Sequence, residues 1–498
     1  MPFLFYKRIA YIAICFLWLP SAFVNAAPSK HLPAIVTQAL AQAGVPLSAT
    51  TILVQDVQTG QSVMDLNTHR AFNPASVMKL LTTYAALDRL GPAYTWQTTA
   101  LSTARPNNGT LDADLILKGG GDPHFTFEQF WLLLRQLRVL GIRDIRGDLV
   151  LDRSLFAPMD ETMTDPVMAF DDQPLRPYNV SPDALLLNFK TIRLQLIGDL
   201  AQNSLSVLAD PLPSNLDLLN LIHPITAERS CGNWQEGIHA SLEHVKNRYR
   251  LILTGSYPVA CGEKIWHLGV LPHSQYIYGV FDQLWRELGG TFKGRLRTDL
   301  PVIPSDKLHT LAHIDSPSLA EIIRYINKYS NNVMARQLFL TLGLPDNDTH
   351  ASAASVRPES ASEASASANM RIWLKQKQLD FPELVLENGS GLSRHERISA
   401  HNLARLLVLA WKSPLMPEFV ASLPLVAVDG TMKTRLKQTG VAGQAHIKTG
   451  TLDGVKTLAG YVLDRHGHWK IVVFMVNHPN AAASQMAQDA LLQWAYEN

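Results

Sequence analysis

Two strand patterns near the start of this 498-residue chain, at 51–56 and 61–66, are too few to bury an apolar face alone. Three more stand near its end, at 444–448, 455–463 and 469–476. Brought together, the five make one antiparallel sheet. Helical patterns at 32–43, 76–90, 319–329, 333–342 and 482–496 can cover both of its faces. The chain is therefore expected to have an α/β (α+β) fold in which residues 27–92 and 301–498 form one domain from two distant halves. Residues 93–300 must leave that domain and return to it. Their texture differs: short strands at 115–118, 147–151, 192–197 and 249–255 are separated by Gly, Pro, Asp and Asn, with a helical stretch at 275–288. They read as an inserted accessory region of two β-rich subdomains. The Ser/Ala-rich segment 346–369 reads as a mobile surface loop with no direct part in chemistry.

Lys7 and Arg8, the apolar run 9–24 and the small residues Ala26 and Ala27 form a secretory signal over residues 1–26, with Val24-Asn25-Ala26 at its cleavage site. Pro20 and the shortness of the run favour removal over a retained anchor. The mature chain is then exported. With Cys15 gone, Cys231 and Cys261 remain in an oxidising compartment, where a disulfide is expected. Two separate buried thiols are the alternative. A net charge of +1 gives no basic footprint for nucleic acid. None of the 17 histidines falls in an H-E-x-x-H motif, so neither a metal nor a cofactor is implied.

Three short motifs occur in order: Ser76-Val77-Met78-Lys79, Ser330-Asn331-Asn332 and Lys448-Thr449-Gly450. Each alone is common. Together they fall on a helix start, a break between helices and a strand end, the signature of penicillin-binding proteins and class A β-lactamases. Residues i and i+3 share a helix face, so Lys79 lies beside the Ser76 hydroxyl and can take its proton if neutral. A second cation, Lys448, lowers the Lys79 pKa. Ser330 relays a proton to the leaving group and Asn332 holds the substrate backbone. Lys448 and Thr449 bind a carboxylate. The N–H groups of Ser76 and of Thr451, just after Gly450, form an oxyanion hole.

The surrounding residues carry a resemblance. Asn73-Pro74-Ala75 precedes Ser76, and Gly119-Gly120-Gly121-Asp122-Pro123 and Asp183-Ala184-Leu185-Leu186-Leu187-Asn188-Phe189 lie in the insertion. Asn388-Gly389-Ser390-Gly391-Leu392-Ser393-Arg394, Asp429-Gly430-Thr431 and Lys448-Thr449-Gly450-Thr451-Leu452-Asp453-Gly454 follow. Over nearly the whole mature chain this resembles the D-alanyl-D-alanine carboxypeptidases/endopeptidases of the S13 peptidase family, the class C low-mass penicillin-binding proteins. The resemblance implies a periplasmic serine D,D-peptidase acting on peptidoglycan stem peptides and cross-links, acylated by β-lactam antibiotics. It also implies that Asp172, beside Phe170, meets the free amine of the stem peptide, although a solvated Asp pair is the plainer reading. Asn388 stands where the family usually has Asp, Ala427 where Gly is common, and His124-Phe125 replace a small residue and Leu. The rivals are a serine β-lactamase or esterase and an inactive cell-wall-binding scaffold. No stable membrane anchor is expected, and the oligomeric state, a homodimer included, stays open.

Overall fold

A computed structural model describes residues 32–158, 170–171, 173–226, 231–299, 303–345 and 360–498. The expected export signal and Asp172 lie outside them.

The five end strands form one antiparallel sheet: β1 (Thr50–Asp56), β2 (Ser62–Leu66), β3 (Ala445–Leu452), β4 (Val455–Leu463) and β5 (Trp469–Asn477), in the order β3-β4-β5-β1-β2. Successive side chains point to opposite faces, and in β5 both faces are buried. Ile471, Val473 and Met475 meet the helices α2 (Lys79–Leu90), α3 (Leu319–Tyr329), α4 (Asn332–Thr341), α5 (Glu363–Gln376) and α6 (Ala400–Trp411) in one core. Val472, Phe474 and Val476 enter a second core with α1 (Ala34–Gln42) and α7 (Gln485–Glu497). Burying each such side chain contributes about 1.5–3 kcal/mol, which makes β5 the strand that ties the two ends of the chain together.

The intervening region carries its own sheets. Leu296–Arg297, Leu149–Asp152, Leu115–Lys118, Gln97–Ser102 and His309–Asp315 lie side by side in that order. The last strand lies beyond residue 300, where the sequence reading ends the insertion. Ser204–Asp210, Thr191–Asp199 and Glu263–Gly269 make a second sheet, and Leu216–Ile225, Arg248–Pro258 and Ile238–Val245 a third, whose first two strands run parallel. Cys231 and Cys261 are joined by a disulfide, with Cα atoms 5.5 Å apart.

The Ser/Ala-rich segment departs from expectation over its described part. Residues 363–369 are helical, the first half of α5. Ser362 caps that helix, accepting from Ser365 N, while Ser365 Oγ accepts from Ser362 N. Ala366, Met370, Trp373 and Leu374 form a buried stripe at helical spacing. The serines are a cap and a solvent face, not a break. No helix among the described residues is long and apolar enough to cross a membrane.

Candidate active site

Ser76 does not begin an α-helix directly. It lies in a 3₁₀ turn, Ala75–Met78, that feeds α2, and Ala75 takes a positive φ of 46° to enter it. Partners far away in sequence hold this turn. Asn73 N donates to Asn477 Oδ1 at the end of β5 (2.7 Å), and Asn73 Nδ2 donates to Ser393 O (2.8 Å). Thr457 Oγ1 on β4 donates to Pro74 O (2.7 Å). A serine anchored on three sides keeps its hydroxyl in place without paying orientation entropy during a reaction.

Lys79 is fully buried. Its Nζ lies 2.9 Å from Ser76 Oγ, 2.6 Å from Asn332 Oδ1 and 2.5 Å from Ser390 O. Two of these partners can only accept. A neutral amine has two N–H groups and one lone pair, so donating to Asn332 and Ser390 leaves its lone pair for the Ser76 hydroxyl. Burial first, and then the charge of Lys448, hold the Lys79 pKa well below that of an ordinary lysine, while Glu396 pulls the other way. A neutral amine in this position can accept a proton from the serine hydroxyl.

Ser330 caps α3 in the left-handed conformation (φ 57°). Asn331 caps α4, its Oδ1 accepting from Met334 N (3.0 Å), so the middle residue of the motif makes the turn that sets its neighbours. Lys448 on β3 donates to Ser330 Oγ (2.9 Å) and to Thr449 O (2.7 Å). It is fully buried, and burial pushes its pKa down to about 7. Thr449 Oγ1 is 2.7 Å from Thr431 Oγ1. β3 is an edge strand of the sheet, and it runs against the serine turn. A Cβ on Gly450 would come within 2.9 Å of both Ser76 N and Pro74 O. Thr451, the next residue, is exposed.

The structure thus gathers Ser76, Lys79, Ser330, Asn332, Lys448, Thr449 and Gly450 into one cluster. Of the acidic pair beside Phe170, only Asp171 is described. It accepts from Tyr178 Oη and from Asn179 Nδ2, and Phe170 lies under the Arg394 guanidinium, 4.6 Å from its ring centre. Sequence reasoning assigned no role in the site to Ser390 or to Glu396. A backbone carbonyl has no signature, although two glycines around Ser390 mark a tight loop. Gly391, at φ +81°, lies so close to the serine turn that a Cβ there would sit 1.9 Å from Ala75 O. Gly391→Ala is therefore expected to push Ala75 and Ser76 aside and slow acylation by a β-lactam about 100-fold or more while the protein stays folded. Stopped-flow acylation rates beside circular dichroism check this, and a wild-type rate would show that the loop yields instead.

A serine, a buried lysine, a Ser-x-Asn turn and a Lys-Thr-Gly edge strand on this sheet define the penicillin-recognising serine enzymes. Within that class the chain belongs to the D-Ala-D-Ala carboxypeptidase 3 (S13) family, which matches residues 32–498. It is similar to the D-alanyl-D-alanine carboxypeptidase DacB of Haemophilus influenzae, 26% identical over 85% of this chain and 84% of that one. It is also similar to the D-alanyl-D-alanine carboxypeptidase of Actinomadura sp., 27% identical over 88% of this chain and 80% of that one. Among solved structures it resembles penicillin binding protein 4 (dacB) from Haemophilus influenzae, with a TM-score of 0.74 at 24% identity over 93% and 99% of the two chains. That protein has also been solved complexed with a β-lactam.

Proposed function

We propose that this chain is a serine D,D-peptidase that hydrolyses the bond after the penultimate D-alanine of peptidoglycan stem peptides and cross-links, and that β-lactams acylate it at the same serine. The observation that carries this reading is the Lys79 amine, buried between Ser76 Oγ and two obligate acceptors. Ser76 Oγ attacks the D-alanyl carbonyl as its proton passes to Lys79 Nζ. The oxyanion is held by the N–H groups of Ser76 and Thr451. The proton taken by Lys79 is passed on to the leaving amine through Ser330, which stays hydrogen-bonded to Lys448, and the ester at Ser76 is then hydrolysed by water. Asn332 orients the acyl-side backbone. Lys448 and Thr449 take the leaving-side carboxylate, and Asp172, next to the described Asp171, meets the amine of the stem peptide. Residues 93–300 act as an accessory region beside this cluster.

The substrate class and the secretory pattern at residues 1–26 support a periplasmic location for the mature protein. The test is incubation with a peptide ending in D-Ala-D-Ala and, separately, with purified cross-linked muropeptides. Release of D-alanine or cleavage of the cross-link supports the reading. A folded protein that does neither, yet turns over nitrocefin rapidly, would assign the chain to the β-lactamases.

The pH dependence follows from the lysines. Lys448 must be charged to hold a carboxylate, and burial pushes its pKa down to about 7 from the 10.5 of an ordinary lysine. Its cationic fraction is therefore lost as pH rises through 7. The kcat/KM for a carboxylate-terminated peptide is expected to fall on the alkaline side with an apparent pKa near 7. An amidated peptide should lack that limb. A flat profile up to pH 9 for both substrates, roughly two units past that pKa, would remove Lys448 as the carboxylate's partner.

A further inference from the structure

Behind the catalytic lysine lies a carboxyl group that the mechanism above does not use. Glu396 is fully buried. Its Oε1 accepts from three successive backbone N–H groups, those of Glu387 (3.2 Å), Asn388 (3.0 Å) and Gly389 (3.1 Å). Its Oε2 is buried with no hydrogen-bond partner among the described residues. The residue after Gly389 is Ser390, whose carbonyl accepts a hydrogen bond from Lys79 Nζ, and Gly389 O accepts from Thr82 Oγ1 on α2 (2.6 Å). One side chain therefore braces the segment of loop that clasps the α2 turn bearing Lys79.

An apolar or neutral side chain would fill the space without the cost of burying a carboxyl, so its presence calls for a reason. Three N–H donors converging on one oxygen suit an anion better than a neutral acid. Burial pushes the Glu396 carboxyl up to about 7, while the three backbone N–H groups and then Lys79 favour its ionised form; Glu396 in turn favours the protonated form of Lys79 across the short segment from Gly389 to Ser390. Other charges nearby are engaged elsewhere. Lys448 faces Lys79 from β3 and disfavours its charge. On the loop, Glu387 accepts from Ser393 Oγ, and Arg397 donates to the carbonyls of Arg394 and Glu396. Position 388, in the same loop, holds a neutral Asn whose Oδ1 accepts from Ser390 N and Oγ.

We propose that Glu396 is a positioning residue for Lys79: it fixes the 387–390 loop segment whose carbonyl holds the amine, and it supplies the buried negative charge that sets how readily the amine takes the serine proton. Without that charge, burial and Lys448 act on Lys79 unopposed. The amine stays neutral at still lower pH but becomes a weaker base.

The proposal rests on Lys79 acting as the base, and the experiment separates the two claims. Glu396→Gln keeps an oxygen for the three N–H groups and removes the charge; Glu396→Ala removes both. Second-order acylation rates with a fluorescent penicillin are measured across pH for wild type, both variants and Lys79→Gln, with thermal melts as fold controls. The expected result for Glu396→Gln is an acid limb displaced to lower pH and a reduced plateau. Glu396→Ala should lose more of the plateau as the loop carbonyl drifts from Lys79. A folded Glu396→Gln with the wild-type pH profile would overturn the proposal, leaving Glu396 as a loop brace alone. Undiminished acylation by Lys79→Gln would instead overturn the reading of Lys79 on which it stands.

Discussion

Ser76→Ala is expected to take up no covalent penicillin and to release no D-alanine, a loss of roughly 10⁵-fold or more, while melting within about 1 kcal/mol of the wild type. The size of the effect comes from the lack of a substitute at the amine. The next hydroxyl in the cluster, Ser330 Oγ, is paired with Lys448, and the acceptors at Lys79 are an amide oxygen and a carbonyl. Neither can form an ester with substrate. The small cost in stability has its own cause. Ser76 is partly exposed, and its turn is anchored through Asn73, Pro74 and Thr457 rather than through its own side chain. Intact-mass spectrometry after incubation with penicillin reads the result directly, and a penicilloyl mass on the variant would move the nucleophile elsewhere.

Lys79→Gln should slow acylation by about 10³–10⁴-fold without unfolding the protein. Glutamine can still donate to Asn332 Oδ1 and Ser390 O, but it offers no lone pair basic enough to take the serine proton. Its burial is less costly than that of an amine, so the melting temperature is expected to hold or rise. A rate within about tenfold of wild type would mean that another group, Ser330 with Lys448, takes the proton.

Much of this architecture was legible in the sequence because the signals are local. Short apolar runs at 455–463 and 469–476 mark strands buried on both faces, and Lys79 follows Ser76 by three residues on one helical face. Ser330 and Asn332 flank a residue, Asn331, whose capping tendency explains the break between helices. The missed features have non-local causes. Glu396 sits between His395 and Arg397 and reads as a solvent-facing charge; its burial depends on the fold of a loop 300 residues beyond α2 on the scale of the chain. The carbonyl of Ser390 is a backbone group that any residue would supply. The first half of α5 read as loop because serine competes for backbone hydrogen bonds, a tendency that Ser362 turns into a helix cap. The parallel pairing of Leu216–Ile225 with Arg248–Pro258 has no sequence signal, since it depends on what the intervening residues pack against.

The most direct test of the central claim is a peptide map of the wild-type protein after brief exposure to penicillin, followed through time. The account predicts a single penicilloyl adduct on the peptide containing Ser76, formed rapidly and persisting well beyond the time needed to form it. An adduct on Ser330 or another residue, or a well-folded protein that forms none, would contradict it.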